Sequence, residues 1–220
     1  MKQTFTRNKK AKSKIFAFRS VSEAIGRLKH NCEIFGFNKG QFYLIDIMSY
    51  VLKQVGKSDL DIITWAIGNE TIDKLVHLQA LGLIGDLRLI LDYSYRTMHP
   101  EYCQKLRDIF GDDSIRVTKN HSKITLIRNK DWNLSIRSSM NLNINRRLEY
   151  FEISDDAELM GFLQGFFEDW FKTKSTGESF DYPTKFHTDE LNKFGDDGNN
   201  RQEIDMDLDL NIFNGDLPFS

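Results

Sequence analysis

"LDIITWAIGNETIDKLVHLQALGLIGDLRLILD", residues 60–92, is the stretch whose reading decides the fold. Its first eight residues, "LDIITWAI", form a short, β-branched, apolar run of the kind a strand carries when both of its faces are buried. Asn69 is placed to cap a helix over "ETIDKLVHLQAL" (70–81), in which Ile72, Leu75, Val76 and Gln79 fall on one stripe. Gly82 is the residue to end that helix, and "GDLRLILDYS" (85–94) reads as a second strand. A strand, a helix and a strand in about 32 residues predict a parallel pair joined by a right-handed crossover.

Working outward, residues 20–55 read as two helices around a break: "VSEAIGRLKHNCEI", then "FGFNKG", then "QFYLIDIMSYVLKQV" with Phe42, Ile45, Tyr50, Leu52 and Val55 among its apolar positions. "GKSDLD" (56–61) is a turn leading into the first strand. Downstream, Pro100 opens a helix over "EYCQKLRDIF" that Gly111 stops. "SIRVTK" (114–119), "KITLIRN" (123–129), "WNLSIRS" (132–138) and "LEYFEIS" (148–154) follow as four short strands. Asp155 and Asp156 then start an amphipathic helix, "AELMGFLQGFFEDWFK", with Leu159, Phe162, Leu163, Phe166, Phe167 and Trp170 as its apolar face. The predicted fold class is α/β: a mixed, largely parallel central sheet with helices on both faces, in one domain plus tails.

The 220 residues are 40% hydrophobic and 28% charged, enough for a sizeable core. Cys32 and Cys103 fit no metal spacing and are too few for a disulfide framework, so both read as reduced and the protein as cytoplasmic. No apolar run approaches the roughly 18 residues of a membrane span, and the basic start lacks the apolar stretch of a secretory signal. The net charge of −2 conceals an asymmetry. Residues 1–20 carry seven Lys/Arg and no Asp or Glu, whereas residues 173–220 carry eleven acidic residues against four basic ones. That leaves about +5 on residues 1–172, a balance that favours a polyanionic partner. Four regions result: a basic arm (1–19), a helical segment (20–55), a main domain (56–173), and an acidic tail (174–220) expected to be mostly disordered and a possible site for a protein partner.

The chemistry concentrates in "KNHSKITLIRNKDWNLSIRSSMNLNINRRLEYFEIS" (119–154). His121 and Lys123 are two apart at the start of an apolar strand, a spacing that directs both side chains to one face. An anion held between them would be hydrogen-bonded by both. Ser139 and Asn141 leave the end of a nearby strand, and Glu149 on the next could accept the second N–H of an imidazole and fix its tautomer. A histidine oriented by a carboxylate beside a Lys/Ser/Asn anion cradle suits nucleophilic attack on a phosphodiester. Lys119, Arg128, Arg137, Arg146 and Arg147 surround the motif and could follow a phosphate backbone. Trp65 and Trp132 could stack bases, although core packing is the alternative for Trp65.

Those residues, "HSK…SSMN…E", resemble the phospholipase D superfamily, whose motif is His-x-Lys-x4-Asp followed by Gly/Ser-Ser-x-Asn and a Glu. The strand, helix and strand upstream are similar to those preceding the motif in the family's compact nucleases, so the resemblance spans roughly residues 56–171. It implies a metal-free, cofactor-free mechanism. One histidine forms a phosphohistidine, a second protonates the leaving oxygen, and water resolves the intermediate. None of His30, His77, His99 or His187 is followed by Lys at the second position, so the resemblance also implies a homodimer that pairs two copies of His121. On that basis Lys123 and Asn141 bind phosphate oxygens, Ser139 supports them and Glu149 orients the ring. The chain departs from the motif at its Asp position, which is Arg128. The expected function is a nuclease acting on DNA or RNA. The alternatives are an inactive relative that binds nucleic acid or a protein partner, and an enzyme acting on phospholipids.

Overall fold

The computed structural model describes residues 20–172; the basic arm and the acidic tail lie outside the described residues. Their chain runs α1 (Val21–Ile25), β1 (Glu33–Lys39), α2 (Leu44–Val55), β2 (Ser58–Thr64), α3 (Asn69–Ala80), β3 (Ile84–Asp92), α4 (Tyr93–Met98) and α5 (Pro100–Phe110). It continues through β4 (Ile115–Thr118), β5 (Ile124–Arg128), β6 (Asn133–Ser138), β7 (Leu148–Asp155) and α6 (Ala157–Phe171). The seven strands make one sheet in the order β1-β7-β6-β5-β2-β3-β4.

The predicted strand, helix and parallel strand are present. β2 pairs parallel with β3, and α3 connects them. β3 also pairs parallel with β4, while the other four pairings are antiparallel. The sheet is therefore mixed, with its parallel part confined to β2, β3 and β4. A short turn joins β5 to β6 and so makes that pair antiparallel, whereas the antiparallel pairings of β1 with β7 and of β2 with β5 join strands remote in sequence.

β2 is buried almost throughout because its two faces meet different cores. Leu60 and Ile62 join a large cluster with Leu89, Ile127 and Ile153, covered by helix residues such as Ile47, Val51, Ile72, Leu75 and Leu106. Ile63 faces the other way, with Ile90 and Leu126, and is covered by Met160 and Phe167 of α6. Helices thus lie on both faces, and the alternation along β2, β3 and β5 sets which core each side chain enters.

Three local expectations are corrected. "EIFGFNK" is a strand, not a break between helices: α1 stops after five residues at Gly26 (φ 67°), and β1 pairs along β7 from Glu33↔Ser154 to Lys39↔Leu148. The aromatic and β-branched residues of β1 favour an extended pleat. Asn69 is the first residue of α3 rather than its cap, and its side-chain oxygen accepts from Lys105 (2.9 Å). Asp156 alone caps α6, accepting from the amides of Glu158 (3.1 Å) and Leu159 (3.2 Å). Asp155 closes β7 and accepts instead from the amides of Asn31 and Asn133.

Candidate active site

The entry to β5, the exit of β6 and the start of β7 lie at one end of three adjacent antiparallel strands. The carboxyl ends of the parallel strands β2 and β3 arrive at the same end, because Ile63 of β2 is paired with Ile124 of β5. Ligands in open α/β sheets characteristically bind beyond the carboxyl ends of parallel strands. A cleft of about 380 Å³ opens here, and His121, Lys123, Ser139, Asn141 and Glu149 all line it, together with Trp65, Asn143, Asn145 and Arg147.

Each wall is tied to the sheet. Asp92, at the end of β3, accepts from the amides of Ser94 and Asn120, both 2.8 Å away, and from the side chain of Trp65. Burial alone would raise the Asp92 carboxyl, but these hydrogen bonds outweigh it and hold the group below the ordinary carboxylate range. Asn120 donates to Thr64 O (3.0 Å) and accepts from the amide of Ser122 (2.7 Å), which fixes the backbone on either side of His121. Opposite, Leu142 donates to Ala66 O (3.1 Å) and accepts from the amide of Gly68 (2.7 Å), anchoring the segment that carries Asn141 and Asn143.

His121 and Lys123 precede β5 rather than belonging to it. His121 is exposed, whereas Lys123 is 8% exposed. The two do not stand apart as separate donors. Lys123 Nζ donates to His121 O (2.6 Å) and lies 3.0 Å from His121 Nδ1. Burial pulls the ammonium below its ordinary value, and the charge of Glu149 partly restores it.

The Glu149 carboxylate is held by the Ser139 hydroxyl, which donates to it and accepts from the amide of Tyr150 (3.0 Å). The expected bond from the imidazole to Glu149 is therefore replaced by one from Ser139. Asn141 Oδ1 is buried without a hydrogen-bond partner among the described residues, and Asn141 lines the cleft.

The surrounding cations divide. Arg147 lines the cleft, whereas Lys119 and Arg146 are exposed and do not line it. Arg137 pairs with Glu152 (2.8 Å) on β7. Arg128 lies at the far end of β5 and pairs with Asp61 (3.3 Å) and Asp59 (3.8 Å) on β2. The arginine at the motif's Asp position thus serves the sheet and does not reach the cleft. Trp132 stacks on His30 at 4.0 Å, away from the cleft-lining residues. Trp65 lines the cleft, with its ring centroid 6.3 Å from that of His121. Asn143 and Asn145 were missed from the sequence, although "NLNIN" places three asparagines at a spacing of two, the period of an extended segment with one polar side.

Among the described residues no three His, Cys, Asp or Glu side chains group to hold a metal ion, and no helix is long and apolar enough to cross a membrane.

No protein-family model and no curated protein matches the chain. Solved structures share part of its course. Nuc of Salmonella typhimurium, a phospholipase D family member, is 13% identical with a TM-score of 0.46, covering 65% of this chain and 95% of its own. NucT of Helicobacter pylori is 12% identical with a TM-score of 0.47, over 64% and 98% of the two chains. Phosphatidylserine synthase of Haemophilus influenzae is 14% identical with a TM-score of 0.47, over 74% of this chain and 44% of that one. Likeness at this level concerns the path of the chain and says nothing about a substrate.

Proposed function

We propose that the cleft is a phosphodiesterase site of the phospholipase D type, acting on DNA or RNA as a homodimer. One observation carries this reading: His121, Lys123, Ser139, Asn141 and Glu149, drawn from three separate stretches of sequence, line one cleft.

On this reading His121 attacks phosphorus and forms a phosphohistidine. Lys123 and the Asn141 amide hold the non-bridging oxygens, where charge grows in the transition state. Ser139 fixes Glu149, and Glu149 accepts from the attacking ring once substrate is bound. His121 of a second copy protonates the departing oxygen, then takes a proton from the water that splits the intermediate. The polar lining, with Asn143, Asn145 and Arg147, suits a sugar–phosphate strand, and the net charge of about +5 on residues 1–172 supports a polyanionic substrate.

The test is incubation with plasmid, single-stranded DNA and RNA in EDTA. Cleavage that survives chelation and falls at least about 10³-fold in His121→Ala is the expected result. Binding without cleavage, unchanged in His121→Ala, would assign the inactive, binding-only reading instead. Release of a head group from phospholipid vesicles would move the substrate to lipid.

A further inference from the structure

The contact between Lys123 and His121 bears on how the proposed site is switched on, and the inference rests on that site taking a phosphoester. An ammonium has three donors and no acceptor. With Lys123 Nζ 3.0 Å from His121 Nδ1, the ring nitrogen must be the acceptor, so a neutral imidazole carries its proton on Nε2. The second bond, from Nζ to His121 O at 2.6 Å, clamps the ammonium against its own neighbour's backbone and keeps it there. In this arrangement the remaining ring nitrogen, Nε2, bears a hydrogen and has no lone pair in the ring plane with which to attack. Glu149, the carboxylate in the cleft, is engaged by Ser139 rather than by the ring.

We propose that Lys123, besides holding substrate oxygens, locks His121 in the Nε2–H form while the cleft is empty, and that an anionic phosphoester unlocks it by drawing the ammonium onto its own oxygens. Once Nδ1 is released, the ring exchanges tautomers. The proton on Nε2 leaves to water, Nδ1 takes one up from water, and the net charge does not change. Glu149 then accepts from Nδ1–H, and the lone pair on Nε2 is free. The groups that bear on this exchange in the cleft are His121, Lys123, Glu149 and Arg147. The attraction between Lys123 and Glu149 directs the freed ammonium within the cleft rather than out of it.

A lock of this kind leaves the histidine unreactive until a phosphate group is present. It also gives Lys123 two partners in turn, ring nitrogen and substrate oxygen, through one change of side-chain direction.

The experiment is nitrogen NMR on the full chain labelled with ¹⁵N-histidine, at about pH 8, where imidazoles are ordinarily neutral. The His121 signals are assigned by their loss in His121→Ala. Free protein should show His121 with its proton on Nε2, and inorganic phosphate should convert it to the Nδ1–H pattern. In Lys123→Met, shown folded by its thermal transition, phosphate should no longer convert the ring and should leave its pattern unchanged. A free wild-type ring already in the Nδ1–H form overturns the proposal, as does a ring that phosphate does not convert. The readout needs no turnover. Conversion by phosphate in a protein that cleaves nothing would sink the nuclease reading alone. Cleavage by a protein whose free ring is Nδ1–H would sink the lock alone.

Discussion

Asp61 on β2 is 1% exposed and carries two guanidinium groups. Arg88 from β3 forks onto it with bonds of 2.5 Å and 2.8 Å, and Arg128 from β5 approaches at 3.3 Å. Asp61 raises the Arg88 guanidinium well above its ordinary value against the opposing effect of burial. Here the phospholipase D motif would place an aspartate at position 128, yet an aspartate there would face Asp59 across the strand pair and lie beside Asp61. Arg128→Asp should therefore lower stability in urea unfolding by on the order of 2 kcal/mol, and leave cleavage no faster. A variant at least as stable as wild type would refute the ion-pair account. Lys123 gives a second residue-level test. Its folded-state value is below the ordinary 10.5, so the unfolded chain binds that proton more tightly. Unfolding free energy should then rise with pH in the alkaline window below 10.5, and that rise should be missing in Lys123→Met when the two pH profiles are subtracted. Parallel profiles would contradict the burial of the ammonium.

At the scale of elements, the edge strand β1 is seated by a glycine. A Cβ at Gly36 would come within 2.6 Å of the ring of Phe151, its partner on β7 and a fully buried core residue. Phe151 in turn meets Phe42 edge-on, with ring centroids 5.8 Å apart. Gly36→Ala should cost about 1–3 kcal/mol by forcing that ring out of place, measurable as a lower urea midpoint. A neutral substitution would mean that β1 does not pack against Phe151 as described. β1 went unread in the sequence because the helical rhythm before it was read on through its first two residues, Glu33 and Ile34. Only pairing with β7, more than a hundred residues away, decides for a strand. The strand–helix–strand run of residues 58–92 was legible for the opposite reason. Its apolar period switches sharply between helix and strand, and Gly82 (φ 71°) marks the end of the helix.

For the molecule as a whole, the chain supplies one His-x-Lys pair, and the proposed reaction uses two imidazoles. If each site draws His121 from both subunits, a single inactive subunit disables a dimer. Wild type and His121→Ala, mixed equally and refolded together, should then show about a quarter of the activity of the same total of wild-type chain, since only dimers of two wild-type subunits work. Activity at half, as expected of independent subunits, would exclude the shared site. Sedimentation should show a dimer at micromolar protein.

The five residues proposed for the site were legible because each is a chemically unusual choice in a strand-rich stretch, and their spacing places them at strand ends. Local pattern also determined the crossover, the late strands and the capped final helix, since propensity and period act over neighbouring residues. Side-chain contacts decided the rest. Pairing with Asp59 and Asp61 took Arg128 to the far end of β5, and Glu152 took Arg137 onto the sheet. Likewise Ser139, not the imidazole, holds Glu149, and Lys123 folds back onto His121. An ion pair or hydrogen bond depends on where two side chains meet in space, and local pattern does not encode that. This holds whether the partner is remote, as Asp61 is from Arg128, or two residues away, as His121 is from Lys123.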